Sequence, residues 1–302
     1  MGVMALFAAP ARAATYYVTV AGLGGEPDYE QRFSSMASDL DKLLKASGAE
    51  SHVFTLSGSN ATLAHLNETM ATIAKQAKPE DDLVVVLIGH GSYDGVEYKF
   101  NIPGPDVSAT QLAALCDAVP AKRQLIVNTT SASGGSVAAL EKPGRGVVAA
   151  TKSGTEKNAT VFARYWVEAL HDPEADLDKN EAISAMEAFQ YADRKTASFY
   201  ESLKRLATEH PVFEDTGKGE PTRTAANGEG SFLSNFAVLR IGNNQRAAND
   251  PAKRDLLAKK EEIESQIDKL KYEKAAMPPQ EYQRALTAAL LELARLQQEL
   301  DK

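Results

Sequence analysis

Leu83-Val84-Val85-Val86-Leu87-Ile88-Gly89-His90-Gly91 is an unbroken apolar run that stops at a histidine between two glycines. About forty residues on, Leu125-Ile126-Val127-Asn128-Thr129-Thr130-Ser131-Ala132-Ser133-Gly134 repeats the plan and ends in hydroxyls followed by Ser-Gly-Gly. Short apolar runs with no polar alternation read as strands covered on both faces, the habit of a parallel sheet packed between helices. In such a sheet, ligands gather at the carboxyl ends of the strands. A histidine at one strand end and a hydroxyl at the next are the base and nucleophile of a hydrolase site.

The flanking sequence supports the same fold. Thr15 to Ala21 is rich in β-branched and aromatic residues and predicts a strand. Tyr29 to Ala46 sets Phe33, Met36, Leu40, Leu43 and Leu44 on one helical face and closes at Gly48. Ser51 to Leu56 predicts a second strand and Thr62 to Lys75 a second helix. Beyond the first run, a helix begins at Ser108 and ends before Pro120. Gln124 to Val127 is the fourth strand, Gly146 to Thr151 the fifth, and Ala159 to Leu170 is helical. This alternation predicts an α/β fold with a mostly parallel sheet and helices on both sides. A long helix over about Ala182 to Ala207, an irregular stretch from His210 to Gly230 and a last strand from Phe232 to Ile241 complete a domain spanning about 15 to 243.

Residues 250–302 differ in kind. Arg254 to Lys274 and Gln280 to Asp301 are dense in Glu, Lys, Gln and Leu. Leu256, Ile263, Leu270 and Met277 recur every seven residues with Ile267 between them. Leu286, Leu293 and Leu300 do the same, with Ala289 and Leu296 between. Pro278-Pro279 interrupts the pattern, because a proline pair cannot continue a helix. The expectation is an antiparallel helical hairpin of about three heptads per arm. It serves either as an oligomer or partner-protein contact or as an arm folded back on its own domain.

The composition is globular, with 43% hydrophobic and 25% charged residues in 302, a formal net charge of −8 and no basic cluster. That balance argues against a nucleic-acid partner. No stretch reaches the ~20 apolar residues that span a bilayer, so no membrane span is expected. Residues 1–13 read as the remnant of a signal peptide: a short apolar run, then the small-x-small pattern Ala11-Arg12-Ala13. An exported, periplasmic or secreted protein is therefore expected. The single cysteine, Cys116, allows no internal disulfide and sits in an apolar helical context typical of a buried thiol.

Among the five histidines only His90 has a strand-end setting with glycines that let a substrate approach the backbone; His52, His65, His171 and His210 read as surface or local hydrogen-bonding residues. The segment Asn128 to Gly135 is not G-x-S-x-G, which sets aside the nucleophile-elbow hydrolases; its hydroxyls would also suffice as helix caps. Gly22-Leu23-Gly24-Gly25 lacks the G-x-G-x-x-G pattern and reads as a turn.

A further motif is Asp176-Leu177-Asp178-Lys179-Asn180-Glu181-Ala182-Ile183-Ser184-Ala185-Met186-Glu187. It follows the calcium loop of an EF-hand, with oxygen donors at Asp176, Asp178, Asn180, Ser184 and Glu187, and the Ala182 carbonyl at the seventh position. Glu181 departs from the pattern where glycine normally makes the turn. Ca²⁺ is the one cofactor this loop suggests; helix capping is the competing explanation. Glu214 to Glu220 is a second acidic turn, with Lys218 inside it weighing against a cation.

An apolar strand ending in His-Gly, followed by a strand ending in a C-x-S-G-like sequence, resembles the caspase-like fold of cysteine peptidases. Within that fold the pattern is most similar to the legumain (asparaginyl endopeptidase) family, where His-Gly follows the third strand and Cys-Glu-Ser-Gly the fourth. His90-Gly91 matches the first element, and Ser131-Ala132-Ser133-Gly134 the second, with Ser131 at the cysteine position. The resemblance covers roughly 15 to 243 and implies a caspase-like three-layer sandwich. It also implies a His90–Ser131 dyad, with backbone N–H groups near Gly91 and Ser131 for the oxyanion.

Ser131 changes what that site can do. A thiol with a pKa near ~8.5 ionises readily beside a histidine. A hydroxyl needs a tightly bonded base oriented by a carboxylate. The leading expectation is a degenerate, non-catalytic member that binds a peptide or protein ligand. The alternative is an active endopeptidase using Ser131 as nucleophile and His90 as base, with Thr129 or Thr130 replacing Ser131 only in a shifted register.

Overall fold

The computed structural model describes residues 13–48, 50–226 and 228–302. The first elements are β1 (Thr15–Ala21), α1 (Pro27–Ala46), β2 (Ser51–Leu56), α2 (Leu63–Gln76) and β3 (Asp82–Ile88). Pro27 opens α1, where its missing N–H costs nothing, and the Thr62 hydroxyl caps α2 by accepting from the His65 N–H at 3.2 Å. β1 pairs in parallel with β2 on one side and β3 on the other, Val18 lying opposite Phe54 and Val85.

Three short strands follow: β4 (Gly91–Tyr93), β5 (Tyr98–Phe100) and β6 (Val107–Ser108), forming a separate antiparallel sheet. α3 (Ala109–Asp117) opens on a reciprocal cap between Ser108 and Gln111. β7 (Arg123–Asn128) joins β3 in parallel, α4 (Val137–Leu140) is one turn, and β8 (Arg145–Ala149) joins β7 in parallel. α5 (Phe162–His171), β9 (Ala182–Ser184), α6 (Ala185–Ser202) and β10 (Val212–Glu214) come next; β10 pairs antiparallel to β8. The main sheet has six strands in the order β10-β8-β7-β3-β1-β2.

Alternate residues of the strands feed two cores. Val84, Val86 and Ile88 of β3 pack with Phe33, Leu40 and Leu44 of α1 and Trp166 of α5. Leu83, Val85 and Leu87 pack on the other face with Leu66, Met70 and Ile73 of α2 and Leu112 and Cys116 of α3. β3 is therefore apolar throughout because both of its faces are covered. The expected three-layer α/β sandwich with a mostly parallel sheet is present.

Three expectations need correction. The helix expected from Ala182 begins at Ala185, because Ala182–Ser184 pairs as β9 with β11 (Ala237–Arg240) and Ser184 caps α6. That helix ends at Ser202 rather than Ala207, and Lys204 just beyond it has φ 52. The strand expected from Phe232 is reduced to β11, which does not join the main sheet; before it, α7 (Ser231–Ser234) is a helical turn. The Asp215 carboxylate holds that turn by accepting from the Phe232 and Leu233 N–H groups. The stretch expected to be irregular contains β10, the antiparallel edge of the main sheet.

α8 (Gly242–Asn249) leads to α9 (Arg254–Glu273) and α10 (Pro279–Leu300), two helices divided at the prolines. Ile263 and Ile267 of α9 meet Ala289, Leu286, Leu293 and Leu296 of α10. Leu257, one residue from the heptad position expected at Leu256, fills the other end with Leu300 and Ala247. α9 also rests on the sandwich: Arg240 pairs with Glu261, and the Lys260 ammonium donates to the Asn180 carbonyl at 3.0 Å and to Asn244 Oδ1 at 2.9 Å. Among the described residues no helix is long and apolar enough to cross a membrane. The leader sequence expected over residues 1–13 lies, apart from Ala13, outside the described residues.

Candidate functional site

The connections after β1 and β3 diverge: β1 leads outward to β2, whereas β3 leads toward β7. The carboxyl ends of β1 and β3 therefore frame the crevice where open α/β sheets bind ligands. Gly22 follows β1 and donates its N–H to the Ile88 carbonyl at 2.8 Å. His90 follows β3. Its half-buried ring stands edge-on to Tyr29, at 4.9 Å, and to Phe33, at 5.2 Å, both on α1. Burial pushes its pKa below the ordinary 6.5, against a smaller opposing effect of its hydrogen bond to the Gly24 backbone. The imidazole is thus held neutral near neutral pH.

The end of β7 is a buried polar knot. Thr130 Oγ1 donates to Asn128 Oδ1 at 2.8 Å and lies 2.5 Å from the Tyr98 hydroxyl. Asn128 Nδ2 donates to Ser136 Oγ at 3.0 Å, and Thr129 Oγ1 donates to the Leu87 carbonyl at 2.6 Å. Thr129 and Thr130 are consumed by this scaffold, so the shifted register is not available. Ser131 is only 2% exposed. Among the described residues its hydroxyl and its N–H make no hydrogen bond, and none joins it to His90.

Gly91 brings the two strand ends together. A Cβ on Gly91 would stand 2.5 Å from the Ser131 carbonyl oxygen. Immediately after Ser131, Ala132 is fully buried with φ 57, a left-handed conformation unfavourable for any residue with a Cβ. The Ala132 N–H donates to the Glu156 carbonyl at 2.8 Å, so it does not face an oxyanion beside Ser131.

Glu156 and His210 escape sequence reasoning. His210 Nδ1 lies 2.5 Å from Glu156 Oε1, and Glu156 Oε2 accepts from the N–H groups of His210 and Lys152. The two residues are 54 apart in the chain with no local signal, so His210 reads from sequence as a surface residue. This acid–histidine pair braces the segment that holds Ala132; no corresponding carboxylate is hydrogen-bonded to His90 among the described residues. Cys116 is buried on α3 and burial pushes its thiol up to about 12, which keeps it an inert packing residue.

The acidic loop gathers Asp176, Asp178 and Glu187, whose carboxylate oxygens lie within 4.8 Å of one another. Asp176 accepts from the N–H groups of Asn180 and Glu181, and Glu181 takes a φ of 65 where the calcium-loop pattern puts glycine. Asn180 Oδ1 accepts from the Ala182 N–H at 2.8 Å, and Ala182 lies in β9. Ser184 is drawn to Glu187 instead of the loop centre: its hydroxyl donates to Oε2 at 2.7 Å and accepts from the Glu187 N–H at 3.2 Å, capping α6. Partial burial, with Glu187 and then Asp176 nearby, raises the Asp178 pKa to about 6. In the second acidic turn Glu214 and Asp215 are taken up by backbone N–H groups and the Thr216 hydroxyl.

No family model matches the chain, and no curated protein matches it. Among solved structures it is similar to protein GSU0716 from Geobacter sulfurreducens, at 12% identity and a TM-score of 0.47 over 74% of this chain and 97% of that one. It is also similar to the Drosophila initiator caspase Dronc, at 10% identity and a TM-score of 0.43 over 69% of this chain and 81% of that one. At these values the chemistry rests on the residues described above.

Proposed function

We propose that this chain is a caspase-like domain, similar to the legumain family, that binds a peptide or protein segment at the His90–Ser131 strand ends without cutting it. The observation carrying this reading is that, among the described residues, His90 has an aromatic wall and a backbone partner but neither a carboxylate nor a hydrogen bond to Ser131. A serine hydroxyl left without an oriented base remains a weak nucleophile. Further support comes from position: His90-Gly91 follows the third strand of the main sheet and Ser131 the fourth, the order of the resembled motif. A peptide library offered to wild type and to Ser131→Cys tests it. Wild type is expected to cleave nothing and to resist a phosphonylating probe. Cleavage by wild type that disappears in His90→Ala would overturn the reading.

One observation favours a second reading, an active serine peptidase. Ala132 stores backbone strain beside Ser131, and such strain clusters at working sites. There Ser131 Oγ would attack the peptide carbonyl while His90 takes its proton and passes it to the leaving amine. Water would then release the acyl ester.

We also propose Ca²⁺ as the ligand of the acidic loop. The support is the spacing of its oxygen donors together with the grouping of Asp176, Asp178 and Glu187. Calorimetric titration of wild type against an Asp178→Ala, Glu187→Ala double variant tests it; identical heats would remove the claim. Export is proposed with the domain, on the Ala11-Arg12-Ala13 pattern alone.

A further inference from the structure

α10 is apolar on more than the face it shows to α9. Ala289, Leu293 and Leu296 close the seam of the hairpin. Away from that seam Leu291 is 58% exposed and Ala288 is exposed beside it. Successive residues of an α-helix step by about 100°, so Glu281, Arg284, Ala288, Leu291, Glu292 and Arg295 share one stripe roughly 100° wide. All six are exposed, and the side chains of the four charged ones make no ion pair or hydrogen bond among the described residues.

The order of those charges is antisymmetric about Ala288. Four residues before it stands Arg284 and four after it Glu292; seven before it stands Glu281 and seven after it Arg295. Laid antiparallel on a second copy with Ala288 at the crossing, each basic residue therefore meets an acidic one. Glu281 faces Arg295 and Arg284 faces Glu292, in both directions across a two-fold axis. A parallel alignment would set arginine against arginine and glutamate against glutamate, which disfavours it. Alanine at the centre lets the two backbones approach. The shallow groove between Arg284, Thr287 and Ala288 is placed to receive the other copy's Leu291.

We infer that α10 is the face through which two copies of this chain pair, antiparallel and centred on Ala288. The interface is isologous, as a two-fold dimer requires. It is independent of what the strand ends bind. One helix per copy buries less than a standard interface, so self-association is expected on the order of tens of micromolar.

Sedimentation equilibrium of the full chain from about 5 to 300 µM, a range set by that expected affinity, tests this. Wild type should show a reversible monomer–dimer equilibrium. Arg284→Glu with Arg295→Glu, and separately Glu281→Arg with Glu292→Arg, should each weaken it about 30-fold, the combined effect of several exposed pairs. An equimolar mixture of the two variants should pair again, within about threefold of wild type, since every contact across the axis is then opposite in charge. All four positions are on the surface, and circular dichroism verifies that both variants stay folded. A wild type that stays monomeric over the range overturns the inference. So does a dimer indifferent to either charge reversal, or folded variants that fail to pair when mixed.

Discussion

Gly91 is packed against the main chain at Ser131, with room for a hydrogen and not for a methyl: a Cβ there would stand 2.5 Å from the Ser131 carbonyl oxygen and 2.7 Å from Thr130 Oγ1. This contact fixes the distance between the ends of β3 and β7. Gly91→Ala should therefore destabilise the domain by about 1–3 kcal/mol, the range for overpacking a filled site. Urea unfolding measures it. A loss under about 0.5 kcal/mol, the ordinary scatter of a surface substitution, would mean that the strand ends move apart freely.

His90 gives the domain a specific pH response. Its folded pKa is depressed chiefly by burial, so the unfolded chain takes up this proton first as pH falls. The unfolded state then binds more protons, and stability rises with pH across that window. The contribution of His90 is present above 6.5 and is lost as pH falls from there through the lower folded value. His90→Phe keeps the aromatic packing against Tyr29 and Phe33 and should flatten this part of the curve. Unfolding midpoints from pH 7.5 to 5 in both proteins check it; parallel curves would contradict it.

Thr130 anchors the β7 end through Tyr98 and Asn128. Thr130→Val preserves the shape and strands the buried Tyr98 hydroxyl with a longer bond, 3.2 Å to Asn128 Oδ1. The expected cost is about 1–3 kcal/mol, that of an under-satisfied buried polar group. Thermal unfolding of this variant measures it, and a neutral result would remove the knot from the account of the site.

The acidic loop should respond to pH in the opposite sense. With the Asp178 pKa raised to about 6, the folded state holds its proton longer than the unfolded one. Stability from this group is complete below the ordinary 3.8 and is lost as pH rises through about 6. Asp178 is only partly shielded, its side chain still reaching solvent, which mutes the effect. Asp178→Asn should reduce the fall in unfolding temperature between pH 5 and 7.5. Millimolar Ca²⁺ should offset that fall in wild type and not in the variant.

How much of this was legible follows from where each signal lies in the chain. β3 reads directly because both of its faces are buried, which leaves its residues after Asp82, Leu83 to Ile88, without a polar interruption. β4, β5 and β6 are two or three residues long, too short for a period to register. Phe232 to Ile241 mimics a strand by its aromatic content, and only Asp215, distant in sequence, turns its start into a helical turn. The positions of His90 and Ser131 were legible from the ends of their strands. The Glu156–His210 pair was not, since nothing within either segment points to the other.

The central claim is that the strand ends hold a peptide and leave it intact. It is tested most directly by passing a random peptide library over the immobilised wild-type protein and reading the retained material by mass spectrometry. The account predicts a retained subset with every peptide whole, and loss of that subset when His90→Ala removes the half-buried imidazole between the strand ends. Retained fragments cut at a common bond, or retention unchanged in His90→Ala, would contradict it.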